Sequence, residues 1–331
     1  MGGGGKTTLA RAVFDRISLQ FEDVLNDDGI SASSVYDGKN MLKKMMHSTK
    51  VLLVLDDVDH RDQLDALVGE PNWFMSGSRI IITTRDEQVL VAHGVKFIHT
   101  VNLLSDEEAI CLFSRYAFGS EIPTQRYAEL AQKVVTYASG LPLTLTVLGS
   151  SLCRQTELQW IDVLKRLETI PLTETLKKLE LSYLCLEEDH KEIFLDIACM
   201  LKGRHMDFVI RALESCGFHA RYGLRVLEQR SLITISHGES LGMHDHIQEM
   251  GRNIVHRLHP HKPHKHSRLW IEHKIEDILA NNLGTNATRC LHDSINFGKG
   301  IKERLTSSNS FTLVIQGCRP LTLVLLQISR S

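Results

Sequence analysis

The chain has 331 residues, a formal net charge of −2 and an apolar share of 43%. That length holds two or three domains, and the near balance of charge gives no global pull toward nucleic acid or an anionic membrane. Its seven cysteines (Cys111, Cys153, Cys185, Cys199, Cys216, Cys290 and Cys318) are odd in number and hold no C-x-x-C pair, which fits a reducing compartment, the cytoplasm, better than a disulfide framework.

The first eight residues, MGGGGKTT, make up most of the phosphate-loop pattern G-x-x-x-x-G-K-[ST]. In such a loop, backbone N–H groups of Gly3, Gly4 and Gly5 and of the helix that opens at Lys6-Thr7-Thr8 face phosphate oxygens. Lys6 reaches the β- and γ-phosphates, and the Thr7 hydroxyl sits on Mg²⁺. The first glycine of the pattern would lie one place before Met1, and the strand feeding the loop before that. An incomplete loop is therefore the expectation, with Lys6 turned to solvent and ADP affinity below that of a complete relative. No charged segment with an apolar core opens the chain, so no leader is expected. The apolar stretch 320–328 falls short of the roughly 20 residues that span a membrane.

Residues 7–21 carry Leu9, Ala10, Val13, Phe14 and Ile17 at helical spacing, and a short helix is expected at 38–46. The run 50–55 (KVLLVL), ending in Asp56-Asp57, suits a parallel strand covered on both faces. A second strand is expected at 79–83 and a weaker third at 97–101. From Ser105 the pattern turns helical: Ser105 and Glu108 form a capping box, and Pro142 falls in the first turn of a helix after Gly140. Helices follow through 160–167 and across 176–228. Residues 231–235 and 241–243 then read as a two-stranded ribbon about His237-Gly238, the signature of a winged helix. A helix at 245–257, a loop rich in His, Pro and Lys at 256–266, and a helix at 271–281 complete the regular part. No repeat of solenoid period is legible. The fold class is α/β plus all-α: a P-loop NTPase-like parallel sheet, then a helical bundle, then a winged helix. The boundaries expected are 1–104, 105–172, 173–260, a linker and helix at 261–289, and a divergent tail at 290–331.

Six motifs in this order resemble the nucleotide-binding (NB-ARC) region of plant disease-resistance proteins of the TIR subclass. They are the phosphate loop at 2–8, KVLLVLDDVD at 50–59, GSRIIITTRD at 77–86, GLPLT at 140–144, FLDIAC at 194–199 and MHD at 243–245, with SRLW at 267–270 as a downstream marker. Asp59 and the FLDIAC stretch point to the TIR subclass. The likeness spans about 1–289. No TIR domain, no leucine-rich repeats and no second strand motif of the family between 21 and 50 are recognised, so the chain resembles a truncated member. The tail after Arg289 does not resemble the family.

The resemblance implies a regulatory ADP/ATP switch in innate-immune signalling, located in the cytoplasm or nucleus. It is at most a slow ATPase, with no NAD-cleaving activity. Gly3, Gly4, Gly5, Lys6, Thr7 and Thr8 would hold phosphate; Thr7 and Asp56, a buried carboxylate, would hold Mg²⁺; and Asp57 would position a catalytic water. Arg85 would sense the γ-phosphate through its planar fork, Pro142 would lie by the adenine, and His244 would reach the β-phosphate of ADP. Taken alone, Asp56-Asp57 also suits a solvated turn, Arg85 a surface site, Pro142 an ordinary helix start and His244 a structural role. His256, His259, His261, His264 and His266 read as a solvated basic loop rather than a metal site. Nucleic-acid binding through 222–230 is not expected, since Arg221, Arg225 and Arg230 are its only cations and Glu228 sits among them. The partners are an adenine nucleotide and other immune-receptor chains, with no membrane. A non-binding adaptor that pairs with full-length relatives is the alternative, and a catalytic P-loop NTPase of another kind is a third reading.

Overall fold

The computed structural model describes residues 1–21, 34–168, 170–281 and 283, with two short strands at 290–291 and 312–313. The chain divides into two compact units, Met1–Asp162 and Val163–Ser331. Among the described residues no helix is long and apolar enough to cross a membrane.

The first unit begins with helix α1 (Lys6–Ile17), followed by α2 (Val35–Ser48), strand β1 (Leu52–Val58), α3 (Arg61–Leu67), β2 (Arg79–Thr84) and α4 (Glu87–Ala92). β1 and β2 pair in parallel, as the apolar runs imply. Leu53, Leu55, Ile80 and Ile82 pack from the strands onto Val58, Leu64, Val68, Val89 and Leu90. The expected third strand is not formed: residues 97–101 have no regular structure, and Phe97 is almost wholly exposed, so pairing there would bury little. The sheet has two strands among the described residues, and Leu52 to Leu55 are only half-buried, not covered on both faces.

Helices α5 (Asp106–Phe118), α6 (Ala128–Ala138) and α7 (Pro142–Leu152) follow, and α8 (Glu157–Leu167) crosses the boundary between units. The Ser105 hydroxyl accepts the Glu108 N–H at 3.3 Å, and the Glu108 carboxylate accepts the Ser105 N–H at 2.9 Å, the capping box legible in the sequence. Pro142 takes the first helical position, where its missing N–H costs nothing. α7 comes close to α5 at Gly149, where a Cβ would stand 2.7 Å from the Cβ of Tyr116.

The second unit holds α9 (Thr173–Leu184), α10 (Glu188–Asp196) and a π-turn at Ile197–Leu201, then α11 (Met206–Ser215) and α12 (Ala220–Gln229). Antiparallel β3 (Thr234–Ile235) and β4 (Leu241–Gly242) form the wing, and a bridge from His205 to Ser240 extends it. α13 (Asp245–Leu258) closes the winged helix. The His-rich loop is not uniformly solvated. His266 is buried, its Nε2 lies 2.9 Å from the His259 carbonyl, and burial lowers its pKa.

Beyond it come β5 (Arg268–Leu269), α14 (Glu272–Ala280), β6 (Cys290–Leu291) and β7 (Thr312–Leu313). The three strands pair in parallel, starting at 268, 290 and 312, an even step of 22 residues. That step lies within the range of solenoid repeats. The sequence pattern hid it because only two residues per strand carry the pairing.

Candidate functional site

The phosphate loop is built as its glycines require. Gly3 and Gly5 have φ of 71° and 87°, in the left-handed region that glycine takes at little cost. At Gly3 a Cβ would also meet the Cβ of Leu143 at 2.8 Å. Leu143 N–H donates to the Gly3 carbonyl at 3.2 Å, so the loop is tied to the start of α7. Gly5 caps α1 with no side-chain acceptor, and the first turn of α1 has no acidic residue. Its orphan N–H groups and the positive end of the helix dipole suit an anion.

Lys6 opens α1, half-buried, and its Nζ donates to the Met1 carbonyl at 2.6 Å; it does not point into open solvent. Burial and then the Arg85 charge lower its pKa, while Asp57 and Asp56 oppose them. An ammonium with that balance gains from a phosphate placed beside it. Thr7 and Thr8 are exposed on the first turn, and Gly4 is half-buried.

The acidic pair sits on a β-bulge. The register runs Leu55 opposite Ile82, then Val58 opposite Thr84, so Asp56 and Asp57 together face one residue, Thr83. Asp57 has φ of 55°, the strained left-handed conformation that Asp tolerates better than most residues. The bulge aims the two carboxylates at different partners. Thr7 Oγ1 donates to Asp56 Oδ1 at 2.9 Å. Arg85 grips Asp57 with both arms, Nε to Oδ1 at 2.9 Å and the second nitrogen to Oδ2 at 2.8 Å. Asp56 was expected to be buried and is exposed, because the bulge lifts it off the apolar face of β1.

Thr83 has a role the sequence did not assign. Its buried hydroxyl donates to Asp56 Oδ1 at 2.5 Å and accepts the Asp57 N–H at 2.8 Å. One side chain thus pins both halves of the bulge. A hydroxyl at the strand position just before Thr84-Arg85 was the available signal, but its meaning depends on β1 lying alongside.

Pro142 joins this constellation: its Cγ lies 3.8 Å from where a Gly5 Cβ would stand. His244 belongs to the second unit. It caps α13 by accepting the His246 N–H on Nδ1 at 3.1 Å. With Nδ1 accepting, the ring's own proton sits on Nε2.

The oxygen donors suit Mg²⁺, which is typically held by one or two carboxylates together with substrate phosphates. Thr7 and Asp56 would hold it, and the ion would neutralise phosphate charge.

These features define a P-loop-type nucleotide-binding α/β domain in a chain that also carries a winged helix. The NB-ARC domain family matches residues 21–122, and the winged-helix domain of Roq1-like disease-resistance proteins matches 187–258. The first match takes in Asp56, Asp57, Thr83 and Arg85, and the second takes in His244. The TMV resistance protein N of Nicotiana glutinosa is 38% identical over 321 residues, covering 88% of this chain and 28% of that protein. The disease resistance protein RPV1 of Vitis rotundifolia is 38% identical over 338 aligned residues, covering 94% and 24% respectively. RPP2B of Arabidopsis thaliana is 33% identical over 311 residues, covering 87% and 26%. Among solved structures, a signal-transduction ATPase with numerous domains and a tetratricopeptide-repeat sensor from Pyrococcus horikoshii superimposes with a TM-score of 0.32 at 18% identity, covering 77% of this chain and 39% of that one.

The chain therefore carries an NB-ARC domain and a Roq1-like winged-helix domain, and it is homologous to TIR-type plant disease-resistance proteins. It spans about a quarter of the length of these relatives. A match over 94% of the chain cannot stop at Arg289, so the stretch beyond, expected to diverge, aligns at least in part.

Proposed function

We propose that the chain is the ADP/ATP switch module of a plant immune receptor. The observation that carries this reading is the convergence, within one unit, of the Gly3–Thr7 loop, the Thr7–Asp56 contact, the Asp57–Arg85 pair and Pro142 beside Gly5. In this reading the loop and Lys6 take the phosphates, Thr7 and Asp56 take Mg²⁺, and Pro142 flanks the adenine.

Arg85 supplies the discrimination. Its guanidinium is held by Asp57, and a γ-phosphate would compete for the same fork; a diphosphate would leave the pair in place. Asp57, once released, is the group that would orient an attacking water. His244, through its Nε2–H, is assigned to the β-phosphate of ADP. That contact favours the ADP-bound state over the other, as a ligand-driven switch requires. Signalling with other immune-receptor chains, in the cytoplasm or nucleus, belongs to the same reading.

The test is calorimetry of Mg²⁺-ADP binding to the chain and to its Lys6→Ala variant. Loss of the charged hydrogen bonds from Lys6 is expected to weaken binding about tenfold to a hundredfold. Absence of ADP binding by the parent, or equal affinity in the variant, would remove the reading.

A further inference from the structure

We propose that Lys202 is the positioning residue for His244: it clamps the first turn of α13 and so fixes the direction in which the imidazole presents its Nε2–H. This rests on the reading of His244 as a nucleotide contact.

The clamp begins at the π-turn. Lys202 N–H donates to the Ile197 carbonyl at 3.1 Å, one residue further back than in an α-helix. The next donor in that series, Gly203 N–H, goes instead to Leu241 of the wing at 2.7 Å. The Ala198 carbonyl is met from outside by Gln248 Nε2 at 3.1 Å. Gln248 Oε1 in turn accepts from Lys202 Nζ at 3.0 Å, and the same ammonium donates to Asp245 Oδ1 at 2.6 Å. Asp245 and Gln248 are three apart in α13 and share one face of its first turn. Gly251 continues that face: a Cβ there would stand 2.5 Å from the Cβ of Ala198, so the helix seats directly on the π-turn.

A cation beside a helix N-terminus is opposed by the helix dipole. Lys202 is held there because two acceptors of the first turn, Asp245 and Gln248, converge on it. His244 is the N-cap of that same turn, and its ring is oriented by the His246 N–H. When Lys202 releases Asp245 and Gln248, the turn frays and the His246 N–H no longer aims the ring. The aspartate of the MHD motif therefore acts on the histidine through a lysine that the motif does not contain.

The experiment compares the chain with Lys202→Met, Lys202→Arg, Asp245→Asn and His244→Ala, following release of bound Mg²⁺-ADP and hydrogen exchange at the His246 amide. Lys202→Met and Asp245→Asn are expected to speed ADP release about two- to fivefold, the range for a partly exposed ion pair. Both should also raise exchange at His246, while Lys202→Arg keeps the parent values. Asp245→Asn breaks the pair without loss of bulk and carries the test if Lys202→Met does not fold. If His244→Ala speeds release but neither Lys202→Met nor Asp245→Asn does, the proposal is overturned. If the parent retains no ADP, or His244→Ala releases it no faster, the reading of His244 fails. The clamp is then judged on exchange alone, and a still-protected His246 amide in the folded variants overturns it.

Discussion

Two arginine–aspartate pairs, one in each unit, share chemistry and differ in setting. Arg85 and Asp57 pair at 2.8 Å with side chains 27% and 55% exposed. Arg268 and Asp196 pair at 2.7 Å with side chains 2% and 5% exposed. The first stands in water on a strained bulge, and solvent screens most of its attraction. It is cheap to break, which suits a guanidinium that must trade a carboxylate for a phosphate. The second is sealed. Arg268 also reaches Glu192, through both its carboxylate at 2.8 Å and its backbone carbonyl at 3.1 Å, so its fork is saturated. Burial opposes its charge, yet Asp196 and Glu192 together more than offset that and raise its pKa further. Arg268 lies in β5, so this pair fastens the strand that begins the parallel stack to the end of α10. The placement of an ion pair, more than its partners, decides whether it switches or fastens.

The comparison breaks most visibly at the buried pair. Arg268→Ala leaves Asp196 charged and unpartnered by its arginine in the interior, and should cost about 3–5 kcal/mol. Denaturant unfolding of the second unit measures this, and a loss below about 1 kcal/mol would refute the fastening role. The same variant offers a chemical readout at Cys199, whose thiol burial pushes up to about 12. In the parent Cys199 should resist alkylation near neutrality while exposed Cys185 reacts, and Arg268→Ala should open it.

Next in size is the bulge that presents the exposed pair. Thr83→Val removes the hydroxyl that serves Asp56 and the Asp57 N–H, leaving polar groups unsatisfied at about 1–3 kcal/mol. Unfolding of the first unit should show the loss, and Mg²⁺-ADP affinity should fall with it. An unchanged variant would mean the bulge holds without Thr83.

A smaller effect sharpens the electrostatics of the open site. The Lys6 pKa is lowered, chiefly by burial and then by Arg85. An unfolded lysine keeps its ordinary value, so below both values the fold bears the full cost of the charged ammonium. Stability should rise as pH climbs from the lowered value to the ordinary one, where only the unfolded chain stays protonated. A phosphate beside Lys6 works the other way and raises its pKa. ADP binding should therefore take up a fraction of a proton in that alkaline window, and affinity should fall as pH rises through it. Calorimetry in two buffers of different ionisation enthalpy reads the uptake directly, and proton release would contradict it.

The smallest change in stability belongs to the open pair. Arg85→Ala should alter unfolding by less than about 1 kcal/mol. It should nevertheless erase any preference between ADP and ATP, which competition binding would show. A loss as large as that of Arg268→Ala would abolish the contrast between the two pairs.

Much of this was legible along the chain. The capping box at Ser105 and Glu108, the proline that starts α7, the wing about His237-Gly238 and the apolar runs of β1 and β2 all follow from local periodicity and backbone chemistry. Each is decided within a few residues, by side-chain spacing or by a missing N–H. The phosphate loop was legible for the same reason, since its glycines serve turns only they can make.

What lay beyond the sequence is what depends on distant residues meeting. Asp57 meets Arg85 across 28 positions, Lys202 meets Asp245 across 43, and Arg268 meets Asp196 across 72. The exposure of Asp56, the burial of His266 and the failure of 97–101 to form a strand are of the same kind. No pattern in the chain specifies them, because burial and pairing energies are set by what lies alongside, and only the packed structure supplies that neighbour.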